Sequence, residues 1–374
     1  MLWATADAVR RMHVGDAVHL RGLVEISNHC VRQCAYCGLW RGNAALQRYR
    51  MTDAEVLGCA RQAVELGFGT VVLQAGEDYG LTREWVANLV RRIKADTPLA
   101  VTLSLGERPD EDLAAWREAG ADRYLLRFET SNPTLYHRIH PALDNQAVPD
   151  HAARGTRHAT PNPRLAILRR LQALGYEAGS GIMIGIPGQT YDDVAADIEL
   201  FCDLELDMIG VGPYLPHPAT PLGHHSSLLT PHSSLDQVPN TELMTYKVVA
   251  LTRLVCPWAN IPSTTALATL NRESGRELGL ARGANVVMPN LTPPRYRALY
   301  EIYPAKACLF EAGGTGVPPV GHGQDARATE THDALIRRIL AMGRQIGAGR
   351  GDSRRAPCVA PFARGETRGV PCVP

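Results

Sequence analysis

Three cysteines stand within eight residues, Cys30-Val-Arg-Gln-Cys34-Ala-Tyr-Cys37, followed by Gly38. Thiolates are soft ligands suited to iron–sulfur clusters, and a four-iron cubane takes four of them. A C-x3-C-x2-C run offers three, so one iron stays open to a substrate. A zinc site completed by His29 is the other reading, but structural zinc more often pairs two separated C-x2-C knuckles. The nine cysteines are an odd number and the other six are scattered singly, which is not a disulfide framework. In a reducing compartment a tight cluster binds metal or does redox chemistry. Cys59, Cys202 and Cys256 fall in helical patterns and are expected to be small core residues.

The elements that must position this loop can be counted. Short β-rich runs at His19–Ile26, Thr70–Gln74, Ala100–Leu105, Tyr124–Phe128, Gly179–Ile184, Met208–Gly212, Asn260–Thr264 and Asn285–Met288 alternate with amphipathic patterns. The patterns Thr52–Leu66, Trp85–Ile93, Asp110–Glu118, Leu165–Leu174, Asp192–Leu204 and Leu243–Val255 predict helices, several with acidic first turns or a closing glycine. Eight such repeats in about 250 residues predict a (β/α)8 TIM-type barrel, with an open doubly wound sheet as the alternative. The cysteines then sit in the first βα loop, on the face where such barrels do chemistry. The expected division is a barrel over 1–310 with a surface insertion at 144–163, a flexible Gly/Pro insertion over 311–332, a C-terminal helix over 333–346 and a disordered tail over 347–374.

Lys plus Arg (39) nearly cancels Asp plus Glu (38), so no global field would draw nucleic acid or an anionic membrane. No apolar run reaches the roughly 18 residues that span a bilayer, and the start lacks a signal pattern. A cytoplasmic enzyme is expected.

The cysteine spacing resembles the radical-SAM superfamily signature, in which the open iron of a [4Fe–4S] cluster chelates S-adenosylmethionine (SAM) and reduction yields a 5′-deoxyadenosyl radical. Tyr36 fits that pattern, packing by adenine. The other strand ends deliver Gln74, Gly76 and Glu77; Ser104; Arg127 and Glu129; and the glycine-rich Gly179-Ser-Gly181-Ile-Met183. Gly76–Glu77 resembles the superfamily's Gly-Gly-Glu segment with Ala75 for its first glycine, and would place acceptors for the SAM ammonium. Glycines at alternate positions of the fifth strand would leave room for a bulky ligand. Arg127 and Glu129 are costly at an apolar strand end unless they serve a ligand or form a structural pair with each other.

Longer segments resemble the HydE family, the radical-SAM maturases of [FeFe]-hydrogenase: Leu73-Gln-Ala-Gly-Glu-Asp78, Val101-Thr-Leu-Ser-Leu-Gly-Glu107, Gly120-Ala-Asp-Arg-Tyr-Leu-Leu-Arg127-Phe-Glu-Thr130, Ile261-Pro-Ser-Thr-Thr265 and Gly283-Ala-Asn-Val-Val-Met-Pro-Asn290. The Asn-rich segment of biotin synthase is absent where Arg127-Phe-Glu-Thr-Ser-Asn132 stands. This resemblance implies that Gln74, Arg127, Glu129 and Arg164 contact SAM, and that Thr264, Thr265, Met288, Tyr300 and Tyr303 line a deeper cavity. It implies a small organometallic iron–cysteine substrate, HydG-like and HydF-like maturases as partners, and a ferredoxin or flavodoxin as reductant. Methylornithine synthase-like or biotin synthase-like chemistry is the nearest alternative, and a structural metal-binding protein the alternative from another class. The chain departs from the family in two ways. The N-terminal helical lead of relatives is expected to be missing. Cys308 matches the first ligand of a second cluster, but the C-x-x-C that should follow is replaced by the Gly/Pro insertion, and Cys358 and Cys372 are differently spaced; no second cluster is expected.

Overall fold

The computed structural model describes residues 1–141, 162–224, 236–306 and 332–354. Seven strands form one parallel sheet: β1 (Ala17–Ser27), β2 (Thr70–Ala75), β3 (Ala100–Ser104), β4 (Arg123–Leu125), β5 (Glu177–Ile184), β6 (Met208–Pro213) and β7 (Val286–Val287), in the order β6-β5-β4-β3-β2-β1-β7. The first, second, third and fifth runs form strands in which apolar residues are buried on both faces, as a sheet covered by helices requires, whereas the fourth, expected over Tyr124–Phe128, is a strand only over Arg123–Leu125. The predicted strand over Asn260–Thr264 is present only as single bridges, Met208 to Asn260 and Pro262 to Val286. Pro262 has no N–H to give a ladder. Asn260 O still accepts from Ile209 N at 2.9 Å and Ser263 N donates to Val286 O at 2.9 Å, so this segment joins β6 to β7 and completes the ring.

The helices follow local signals. Helix α1 (Leu2–Val14) precedes β1 and packs on the helix Glu242–Val255, correcting the expectation of a missing helical lead. Helix α2 (Asp53–Glu65) begins in a capping box, Thr52 with Glu55, and buries Val56, Leu57, Cys59, Ala60 and Ala63 against the sheet. Helices α3 (Arg83–Asp96), α4 (Asp110–Glu118), α5 (Pro133–Ile139) and α6 (Arg164–Ala173) follow in turn. Of the three cysteines expected in the core, Cys59 is buried, Cys256 is half-buried and Cys202 is exposed. Cys202 lies off the face of helix Tyr191–Asp203 that buries Val194, Ile198 and Phe201.

The C-terminal part differs from expectation. The helix ends at Ala341 rather than 346, and Gln345–Ile346 becomes an eighth strand, β8, paired parallel with Ala17–Val18 of β1. The chain after Gly347, expected to be disordered, crosses the N-terminal end of the barrel as far as Arg354. There Arg21 donates to Gly351 O at 3.0 Å, Arg123 to Arg350 O at 3.0 Å, and Thr70 Oγ1 to Arg350 O at 2.8 Å. Residues 142–161, 225–235, 307–331 and 355–374, with most of the expected insertions and with Cys308, Cys358 and Cys372, lie outside the described residues.

Candidate iron–sulfur and cofactor site

The loop after β1 carries Cys30, Cys34 and Cys37, all partly buried and none in a disulfide. It is held from several sides. Val31 N donates to Glu77 O at 3.0 Å, Ala35 N to Ile139 O at 2.9 Å, and Gly38 N to Ile302 O at 3.0 Å. Arg48 donates to the carbonyls of Asn28, Leu39 and Trp40, which brackets the loop. Two glycines are required by close approach. A Cβ at Gly76 would stand 2.3 Å from His29 O and 2.9 Å from Cys30 Cβ, and one at Gly38 would stand 2.1 Å from Glu301 O. Burial pushes all three thiols above their ordinary value, Cys37 to about 12. A cationic iron centre is what would draw such buried thiols into the thiolate form.

Beside the loop opens a cavity of about 320 Å³. Tyr36, Cys37, Gln74, Ser104, Arg127, Glu129 and Met183 line it, together with Thr264, Thr265, Met288 and Tyr303. Eleven positions singled out from the sequence thus meet round one space. Tyr36 is tied in by its hydroxyl, 3.1 Å from His140 Nε2 and 3.4 Å from Glu129 Oε1. Glu129 has φ 63°, a left-handed conformation that costs a non-glycine residue on the order of 1 kcal/mol or more and is held here by its N–H to Gly181 O at 3.0 Å. That backbone presents its carboxylate to Arg127 Nε at 3.1 Å, so the pair considered as structural is formed and faces the cavity at once.

Other singled-out residues do not line this cavity. Glu77 is buried and turned to Arg32 (2.7 Å), Tyr79 Oη (2.9 Å) and Glu107 N (2.9 Å). Arg164 reaches Glu107 at 2.9 Å and donates to Arg127 O at 2.7 Å. With Arg32, a residue of the cysteine loop itself, to Glu107 at 2.7 Å, these residues form a chain of ion pairs that anchors the loop and is not part of the cavity wall. Tyr300 is buried and accepts from Gln74 Nε2 at 3.2 Å through its hydroxyl, bracing a wall residue. Gly179 and Gly181 do not open ligand space. A side chain at Gly179 would meet Met208 Cε at 2.7 Å, and one at Gly181 the Gly210 carbonyl at 2.1 Å. The space is left instead by Gly212 on β6, which lines the cavity. The sequence reading missed Glu25, Asn290 and Lys306 on the same wall. Glu25 carried the available signal, an acidic residue inside the apolar run of the first strand.

A loop of three thiols at the C-terminal end of a parallel barrel, opening on a cavity with paired charges, has the architecture of a radical-SAM enzyme, and residues 24–201 match the Radical SAM superfamily. The chain is 44% identical over 319 residues, 85% of its length, to the [FeFe] hydrogenase maturase subunit HydE of Thermotoga maritima, of which 83% is covered. It is 25% identical to 3-methylornithine synthase of Methanosarcina acetivorans over 76% of this chain and 73% of that one. The crystal structure of methylornithine synthase (PylB) has the same fold, with a TM-score of 0.68 over 92% of this chain and 88% of the other at 23% identity. The chain belongs to the HydE family of radical-SAM enzymes. Among the described residues no helix is long and apolar enough to cross a membrane.

Proposed function

We propose that Cys30, Cys34 and Cys37 hold a [4Fe–4S] cluster whose fourth iron takes SAM, and that the enzyme acts on a small organometallic iron–cysteine substrate in assembly of the [FeFe]-hydrogenase diiron subcluster. The observation that carries this reading is the cavity itself, which begins at Cys37 and is walled by the strand-end residues expected to bind SAM and substrate. When bound, cluster and SAM together supply a 5′-deoxyadenosyl radical under reduction.

The chain's own residues do the rest. Tyr36, fixed by His140, offers an aromatic edge beside the cluster loop for adenine. Arg127 and Glu129 offer opposite charges to the zwitterionic methionyl and ribose groups, while Gln74 and Ser104 add neutral hydrogen-bonding groups. Thr264 and Thr265 present hydroxyls and Met288 an adaptable apolar surface on the substrate side. A partly enclosed, largely apolar wall keeps water from a reactive intermediate. The partners of this reading are HydG-like and HydF-like maturases and a low-potential ferredoxin or flavodoxin, in the cytoplasm, and a single cluster serves the reaction.

Anaerobic reconstitution tests it. The expected result is a brown protein with about four irons that releases 5′-deoxyadenosine from SAM and dithionite. A colourless product, or no 5′-deoxyadenosine, overturns the enzyme reading. Failure of the reconstituted enzyme to restore maturation in a hydrogenase assembly assay would overturn the HydE role alone.

A further inference from the structure

The cavity wall holds one buried ion pair that neither the cluster loop nor the expected SAM contacts use. Glu25, on β1 five residues before Cys30, is 1% exposed, and the side chain of Lys306 is 7% exposed. Both line the cavity, and the Lys306 ammonium is paired with Glu25 Oε1. Asn290 Nδ2 donates to Glu25 Oε2 at 3.0 Å. Lys306 also donates to Tyr300 O at 3.0 Å and lies over the Tyr300 ring, 4.9 Å from its centre. One of its three N–H groups has no partner among the described residues.

A buried pair of this kind is a poor device for stability. The desolvation of two ions is repaid only in part by their attraction, and well-packed apolar side chains serve as well. The surrounding wall, Leu23, Leu125, Leu215, Ile302 and Met288, is of that apolar kind. An ion pair set in it and facing open space presents both signs of charge within one ligand length.

We propose that Glu25 and Lys306 form a clamp for the zwitterionic end of an α-amino acid, or of a larger substrate with an amino-acid portion: Lys306 takes the carboxylate and Glu25, steadied by Asn290, takes the ammonium. The clamp rests on reading this cavity as the substrate's place, and not on the identity of any metal the substrate carries. Opposed charges select a zwitterion over an amine or an acid, because either singly charged analogue leaves one buried charge without a counterpart.

The test uses reconstituted enzyme saturated with SAM and three probes: S-methyl-L-cysteine, 2-(methylthio)ethylamine and 3-(methylthio)propionate, measured by anaerobic calorimetry. The expected result is binding of the amino acid at least about tenfold tighter than either analogue, roughly the loss of one buried charged hydrogen bond. Lys306→Met should remove the preference over the amine, and Glu25→Gln the preference over the acid. If a single variant fails to fold, the double variant Glu25→Gln/Lys306→Met leaves no unpaired charge and should bind all three probes with equal, weak affinity. Equal affinities in the wild type, no binding of the amino acid, or an unchanged preference in the variants overturns the clamp. 5′-Deoxyadenosine release by the same samples reports separately on the radical-SAM reading.

Discussion

The two ends of the barrel use charge in opposite ways. At the cysteine end, Arg127 and Glu129 meet each other but also face a cavity, while Arg32 of the loop is tied through Glu77 and Glu107 to Arg164 in a lattice that does not line the cavity. At the other end Arg21 and Arg123 are fully buried and consumed by the chain itself. Arg123 pairs with Glu177 at 2.5 Å and with Asp352, and donates to Thr70 and to Arg350 O; Arg21 donates to Gly351 O. Backbone carbonyls of the C-terminal segment thus take donors of both arginines at the closed end, whereas the open end keeps charges that a ligand can share. A barrel that reacts at one face needs its other face sealed, because a water path through the centre would reach the site.

Breaking the open end at the cysteines proposed to hold the cluster should have the largest effect. Cys34→Ala leaves two thiols, and the expected outcome is loss of the iron chromophore and of all 5′-deoxyadenosine formation after reconstitution, with the far-ultraviolet circular dichroism unchanged. Breaking the closed end should instead cost stability. Arg123→Ala removes a buried guanidinium from two carboxylates and two further acceptors, and urea unfolding should show a loss of about 3 kcal/mol. If the variant lost cluster content but not stability, the contrast drawn between the ends would fail.

A smaller perturbation separates positioning from ligation. Gly76→Ala keeps every thiol but sets a Cβ against His29 O, so the loop must shift; overpacking of this sort costs about 1–3 kcal/mol. Iron content per protein should fall in part, not to zero. The smallest effect is a pH dependence at the closed end. His19 packs beneath the tail, where a Cβ on Gly347 would meet it at 2.4 Å, and burial, with Arg21, Arg354 and Arg123 nearby, lowers its pKa from 6.5 to about 4. A base whose folded value lies below its unfolded value leaves the unfolded chain holding more protons between those two values, so stability falls as pH drops from about 6.5 to about 4. His19→Gln should flatten that part of the stability profile in thermal unfolding, and an unchanged slope would show that the tail does not shield His19.

Much of the open end was legible in the sequence because its signals are local. The three cysteines lie on one loop, and the lining residues Gln74, Ser104, Arg127 and Glu129 sit at or just beyond strand ends, where period and composition mark the boundary. The pattern was less informative where a residue's partner is distant. Glu77 and Arg164 were singled out as SAM contacts, and nothing in the chain order shows that in the structure they also pair with Arg32 and Glu107, which stand between them. The alternate glycines of β5 were expected to make room, yet they let β5 and β6 close on one another. The closed end was hidden altogether, because 347–354 is rich in Gly and Arg and has no period; it is ordered by what it covers, not by its own propensity.

The sequence by itself determined the chemistry on offer: three thiolates too closely spaced for a disulfide framework, on the first loop of a barrel whose strands announce themselves by β-rich runs between helical patterns. Only the tertiary structure decided which charges remain for a ligand. Glu25 and Lys306 are 281 positions apart and become one pair facing a cavity, while Arg123 and Asp352, 229 apart, become a pair that ties the C-terminal segment to the sheet. Charge carries no direction in a sequence; burial and the geometry of the surrounding walls give it one.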